Sequence, residues 1–259
     1  MADLDNQVLR TRTIGRGDAA IDEGLRAYML GVYNYMILGL ATTGLAAYAI
    51  FRAAFTTVNT GFAVNSTYYL TDFGQTLFAT PLVWAIMFSP LIFSLLLSYS
   101  ITRINSRMAL GLFFGFSLLM GLSLSMIFAT YVATDIVRVF FLTAIAFGGL
   151  SLYGYTTKRD LSAMGTFLVM GIWGVIIASL LNFFVFKSTG FDLILSAVIV
   201  LVFAGVTAWK TQEIKEVYYH TGGQGEMAAR ASVIGAYSLY ISFLNMFMAL
   251  LRLLGNRQS

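Results

Sequence analysis

The sequence predicts an all-α integral membrane protein, a bundle of seven transmembrane helices. Three observations lead there. The 259-residue chain is 58% hydrophobic and 11% charged, whereas a soluble domain carries about 25% charged residues. Its mean hydropathy is +0.79. Its apolar residues also lie in runs of spanning length, and a bilayer core needs about 20 apolar helical residues. A large soluble helical core would need polar stripes every three or four residues, and the long runs lack them.

Taken in order, residues 1–27 are polar and carry Arg10, Arg12, Arg16 and Arg26. No apolar stretch with a small-residue cleavage site follows, so no signal peptide is expected. Asp18 is placed to cap a short helix that runs into the first span. Spans are expected at about 28–50, 82–100, 108–130, 136–154, 163–186, 191–209 and 232–254. The longest loop, 51–81, is polar and turn-rich, with "VNTGFAVNSTYYLTDFGQ" inside it. Residues 210–231 read as the 6–7 loop. With no internal repeats or low-complexity linkers, residues 28–254 form one membrane domain, followed by a short tail at 255–259.

Basic residues set the orientation. With the N-terminus cytoplasmic, that side holds Arg10, Arg12, Arg16, Arg26, Arg103, Arg107, Lys158, Arg159, Lys210, Lys215 and Arg230. The other side holds Arg52, Arg138, Lys187, Arg252 and Arg257. Eleven against five places the N-terminus inside and, with seven spans, the C-terminus outside.

The composition excludes much chemistry. With no cysteine there are no disulfides or thiolate metal sites. One histidine, His220 in the 6–7 loop, cannot assemble a conventional zinc site. The span cores contain no Asp or Glu, and Asp135 and Asp192 sit at span ends. Intramembrane proteolysis would need paired aspartates, a serine with a histidine, or a zinc cluster. "GLSLS" at 121–125 lies in an apolar helix without the sheet context of a nucleophile elbow. The seventh span has no lysine for a retinal Schiff base. No enzyme, cofactor, metal or nucleic-acid partner is expected; the partner that composition implies is the lipid bilayer.

Several polar residues carry two readings. Lys210 either snorkels to the cytoplasmic interface, pairing with Glu213 one turn on, or is a fixed cation facing the bundle interior. Ser242, near mid-membrane in the seventh span, is expected to bond its own backbone or a neighbouring helix. Asn245 is expected to make an interhelical hydrogen bond. Arg138 is expected to snorkel outward, and Arg103 and Arg107 to set topology and meet lipid headgroups. Small residues four apart, Gly111 with Gly115 and Ala144 with Gly148, allow close helix packing, with a homodimer face as the other reading.

Four blocks carry a resemblance: "GLRAYMLGVYNYMILGLATTG" (24–44), "FGGLSLYGYTTKRDLSAMGTFLVMGIWG" (147–174), "TAWKTQEIK" (207–215) and "SLYISFLNMFMALLRLLGNR" (238–257). Together they resemble the Bax inhibitor-1, or transmembrane Bax inhibitor motif, family, and bacterial members above all. The resemblance implies a seven-helix bundle with the last helix near its centre, in a bacterial inner membrane. It also implies a role in calcium homeostasis, as a pH-sensitive ion leak channel. In that family an aspartate pair on the sixth and seventh helices acts as sensor and latch. Some bacterial relatives instead bind and modulate a membrane-anchored ATP-dependent protease.

The chain departs from the family at the pair. The sixth-helix Asp-Thr-Gln reads Lys210, Thr211, Gln212 here, and the seventh-helix aspartate falls on Ser242, between Ile241 and Phe243. Two close carboxylates cannot both ionise cheaply, so such a pair titrates as a unit near physiological pH. It also offers the hard oxygen ligands that calcium prefers. Lysine and serine offer neither, and Lys210 would repel calcium. Its ammonium could instead hold the two helices together by donating to Ser242, with Thr211, Gln212, Glu213 and Asn245 as supporting polar residues. Two functions follow as expectations. One is a cation leak without the usual di-aspartate gating. The other is a modulator or stable partner of a membrane complex such as that protease, contacted through the polar N-terminal segment.

Overall fold

The computed structural model describes the backbone of residues 2–100 and 104–258, and side chains for 23–95 and 104–258. Arg10, Arg12, Arg16 and Arg103 therefore lie outside the residues whose side chains are described. Seven long helices follow one another: α1 (Ala2–Ala54), α2 (Leu82–Ser100), α3 (Ser106–Leu124), α4 (Ala133–Thr156), α5 (Ser162–Leu181), α6 (Thr189–Thr221) and α7 (Gly225–Leu254). Six of them are long and apolar enough to cross a bilayer. The remaining span is broken: Asp72–Ala79 and Leu82–Leu95 pass the same test only as a pair, bent by 65°. The described residues thus give six to seven spans, in an all-α membrane bundle.

Helix α7 is the axis. In its most apolar window 61% of the residues are buried, against 17–33% in the other five spans. The last helix therefore lies at the centre. Its buried face includes Ala236, Tyr240, Phe243, Phe247 and Leu251, spaced three or four apart as one helix face requires. Phe113 of α3 meets Tyr240 edge-on at 5.4 Å, and Phe147 of α4 meets Phe243 at 5.5 Å. Gly235 gives α7 room against Ile214 of α6. By contrast α5 packs mainly on α6, where Gly165 faces the Trp209 ring and Leu168 fits against Gly205.

Pro90 interrupts the ladder of α2. It has no N–H, so the carbonyl of Ile86 loses its helical partner. In lipid such a group must find another. The hydroxyls of Ser89 and of Ser123 on α3 both donate to it at 2.9 Å.

Three expectations need correction. Asp18 does not mark a helix start, because α1 runs unbroken from Ala2 through Ala54. Residues 210–231 are not one loop. Helix α6 continues to Thr221, α7 already starts at Gly225, and His220 lies in the last turn of α6. The polar extension stays helical because Thr211, Gln212 and Lys215 find partners on neighbouring elements, and Gly222 stops α6 at a left-handed φ of 67° that other residues rarely adopt. The 51–81 loop is also folded. Strands β1 (Phe55–Thr56) and β2 (Tyr69–Leu70) pair antiparallel, and Phe55 and Leu70 join Ala54 and Ala129 in a second apolar cluster.

The small-residue pairs do not mark the close approaches. A Cβ at Gly111 or Gly148 would meet nothing within 4 Å, and one at Gly115 would make only ordinary contact with Phe93. The tight crossings fall elsewhere. A Cβ on Gly154 of α4 would come within 2.2 Å of the Ala208 carbonyl on α6, and one on Gly121 of α3 within 2.7 Å of the Thr43 carbonyl on α1. Gly154→Val is therefore expected to force α4 from α6 and cost about 1–3 kcal/mol. Gly148→Ala should cost nothing. Thermal unfolding in mild detergent tests this, and equal melting of the two variants would contradict it.

Candidate functional site

The candidate site is the polar layer where α6 carries "KTQEIK". Successive residues on a helix turn about 100°, so these side chains cannot share one direction. Lys210 and Glu213, three apart, emerge together. The ammonium donates to Glu213 Oε2 at 2.6 Å and lies 4.2 Å from the centre of the Trp209 ring. Glu213 also lines a cavity of about 420 Å³ with Ser162, Thr166, Gln212 and Glu216, between α5 and α6. Both partners of the ion pair are partly exposed, which makes it a weak contact.

Thr211 points the other way and is wholly buried. Its hydroxyl donates to the Thr207 carbonyl at 2.8 Å and lies 2.9 Å from Ser151 Oγ of α4. Ser151 Oγ is in turn 2.5 Å from the Tyr33 hydroxyl of α1. Three helices are joined by three hydroxyls.

Gln212 and Lys215 fix the α4–α5 connection. Gln212 Oε1 accepts from the Leu161 N–H and its Nε2 donates to the Arg159 carbonyl, each at 2.8 Å. Lys215 donates to the Tyr155 carbonyl at 2.9 Å. That carbonyl belongs to the last turn of α4, where helix geometry leaves acceptors unpaired and favours a cation.

On α7, Ser242 is buried and donates to the Ser238 carbonyl at 3.0 Å. Among the described residues no hydrogen bond joins it to Lys210, so the α6–α7 latch suggested by the sequence does not form. The lysine is held on the α5 side of α6 by Glu213 and Trp209. Asn245 also departs from expectation: its amide donates to the Ile241 carbonyl at 2.8 Å, within its own helix. A four-residue reach to a backbone oxygen satisfies it without a neighbour. Of the sequence-derived residues, Thr211 and Gln212 bind other elements, whereas Lys210, Glu213, Ser242 and Asn245 bond within their own helices.

A second hydroxyl junction was not read from the sequence. Thr43 Oγ1 of α1 lies 2.6 Å from the Tyr240 hydroxyl of α7 and donates to the Ser117 carbonyl of α3 at 2.9 Å. Tyr237 of α7 donates to Ser94 of α2 at 2.6 Å. The only prior signal was the placement of single hydroxyls inside apolar runs. Beside these junctions a groove of about 1170 Å³ runs between α1 and α4, lined by Met36, Leu40, Phe140 and Phe147 and reached by Tyr33 and Ser151. No cluster of three His, Cys, Asp or Glu able to hold a metal occurs among the described residues. The two carboxylates at span ends sit in the first turns of their helices: Asp135 in α4, binding the Asn256 N–H at 2.9 Å, and Asp192 in α6.

Comparison with known proteins agrees with this architecture. A family model described as "Inhibitor of apoptosis-promoting Bax1" matches residues 25–259. The protein RP147 of Rickettsia prowazekii is 41% identical over 249 residues, 96% of this chain and 98% of its own. A Caulobacter vibrioides protein is 37% identical over 258 residues, 100% of both chains. The inner membrane protein YbhL of Escherichia coli K12 is 36% identical over 237 residues, 91% of this chain and 94% of its own. The matched region takes in every apolar span and the hydroxyl junctions around α7, and the chain belongs to the Bax inhibitor-1 family of membrane proteins.

Proposed function

We propose that this membrane protein is a cation leak of the Bax inhibitor-1 type, in a bacterial inner membrane with its N-terminus cytoplasmic, and that its leak is not gated by a carboxylate pair. The observation that carries the reading is the pair of positions themselves. Lys210 is bound to Glu213 and Ser242 to its own backbone, so neither supplies an acid that a proton or calcium could occupy. The hydroxyl joints nearby are neutral and do not titrate in the physiological range. YbhL, a relative matched over most of both chains, is named as an inner membrane protein.

Calcium flux into liposomes containing the purified protein tests this. Flux is expected to stay nearly flat between about pH 6 and pH 8, the window in which a shared-proton carboxylate pair can titrate. The double variant Lys210→Asp with Ser242→Asp should acquire a pH-dependent flux, and Lys210→Asp alone should acquire less. A steep pH dependence in the unaltered protein would overturn the reading.

The length of α1 favours a second reading, that of a modulator or partner of a membrane complex such as a membrane-anchored ATP-dependent protease. At 1.5 Å per residue its 53 residues extend about 80 Å, far more than the roughly 30 Å of a bilayer core. The excess lies in the polar N-terminal segment. Removing residues 1–20 is expected to leave the bundle folded and abolish co-purification of the partner from mild detergent, read by mass spectrometry. A complex that survives truncation would place the contact on the membrane helices instead.

A further inference from the structure

At the end of the bundle opposite the α6–α7 turn, three basic side chains converge. Lys187, Arg252 and Arg257 line one cavity of about 880 Å³ together with Asn182, Thr189 and Asp192. They come from three separate places: the α5–α6 connection, the last turn of α7, and the C-terminal tail. Among the described residues five basic side chains lie at this end, Arg52, Arg138, Lys187, Arg252 and Arg257, and three of the five share one cavity. None of the three side chains has a hydrogen-bond or ion-pair partner among the described residues.

The frame around them is fixed. Buried Asn182 donates to Asp192 Oδ1 at 2.5 Å and to the Ser188 carbonyl at 3.3 Å, and accepts from the Ser188 N–H at 3.1 Å. Lys187 is held in a left-handed conformation at φ 48°. The tail is stitched to α4 and the turn before it: Asn256 donates twice to Asp135 Oδ2, and the Gln258 N–H donates to the Thr130 carbonyl at 2.9 Å. Arg257 is thereby carried to the cavity on a bonded strap. The cavity also meets the start of α6, where the first N–H groups have no helical acceptor and the helix dipole is positive. Three cations and one carboxylate leave it with a formal charge of +2.

We propose that this cavity binds a phosphate-bearing anion, its oxygens taken by Lys187, Arg252 and Arg257. Guanidinium groups match phosphate oxygens two at a time, and a lysine adds a point charge. The phosphate could belong to a phospholipid headgroup or to a soluble ion. Phe183 and Phe184, 62% and 68% exposed on the same wall, would lie beside acyl chains if the ligand is a lipid.

The test uses the full-length protein and reads thermal unfolding, which ligand binding to the native state raises. Phosphatidylglycerol added to protein in phosphatidylcholine nanodiscs is one arm, and inorganic phosphate in phosphatidylcholine alone is the other. A rise with phosphatidylglycerol only identifies a lipid site, and a rise with inorganic phosphate identifies a soluble-anion site. Each loss of one cation, as in Arg252→Gln or Arg257→Gln, is expected to weaken the response about tenfold in ligand concentration. Asp192→Asn removes the cavity's carboxylate and should strengthen it. Arg107→Gln, at the opposite end of the bundle, should change nothing and serves as the folded control. No rise in either arm, or the same rise in the Gln variants as in the unaltered protein, overturns the proposal.

Discussion

Inside a bilayer no water is available to a polar group, and every one must find a partner within the protein. That constraint organises this bundle around α7. Tyr237, Tyr240 and the aromatic face beside them reach α1, α2 and α3, while Phe243 reaches α4. Each interhelical hydrogen bond contributes only about 0.6 kcal/mol on average in a membrane, so the hydroxyls do not hold the bundle together. Close packing at the buried face of α7 does that, and the hydroxyls fix which turn faces which. The same constraint appears at Pro90, where one unpaired carbonyl draws hydroxyls from two helices.

The polar layer of α6 is built for attachment. Gln212 and Lys215 tie down the end of α4 and the connection to α5, and Thr211 joins α6 to α4 and through it to α1. Lys210 stands apart from this work, paired with Glu213 beside Trp209. A carboxylate at that position would bring a titratable charge to the layer. Lys210 is instead held by Glu213 on the α5 side of α6, and among the described residues it makes no bond across the α6–α7 contact.

The architecture was legible in the sequence because the lipid requirement writes itself as apolar length. Each expected span overlaps a helix, and the resemblance to the family anticipated the central place of the last one. What could not be read was where helices continue past the membrane. Residues 210–221 look like a loop because they are polar, yet Thr211, Gln212 and Lys215 find partners on neighbouring elements and the helix does not stop until Gly222. The Lys210–Ser242 contact failed for a related reason. A family motif gives positions, whereas the direction of a side chain depends on its local partner, and Glu213 lies one turn away. Asn245 likewise satisfied itself on Ile241. The chain from Tyr33 through Ser151 to Thr211 was hidden because it joins single hydroxyls 118 and 60 residues apart. The basic cavity was hidden because its cations are distant in sequence and are gathered only by the tail.

With Lys210 paired to Glu213, Ser242 bound to its own backbone and Gly235 packed on Ile214, α6 and α7 are expected to keep one arrangement across physiological pH. The chain has no cysteine, so spin labels can be placed at will, one at Leu201 on α6 and one at Ile234 on α7, both exposed. One distance distribution is expected between them, unchanged from about pH 6 to pH 8 in lipid. A pH-dependent shift of about 2 Å or more, the scale of helix movements in switching proteins, would contradict it.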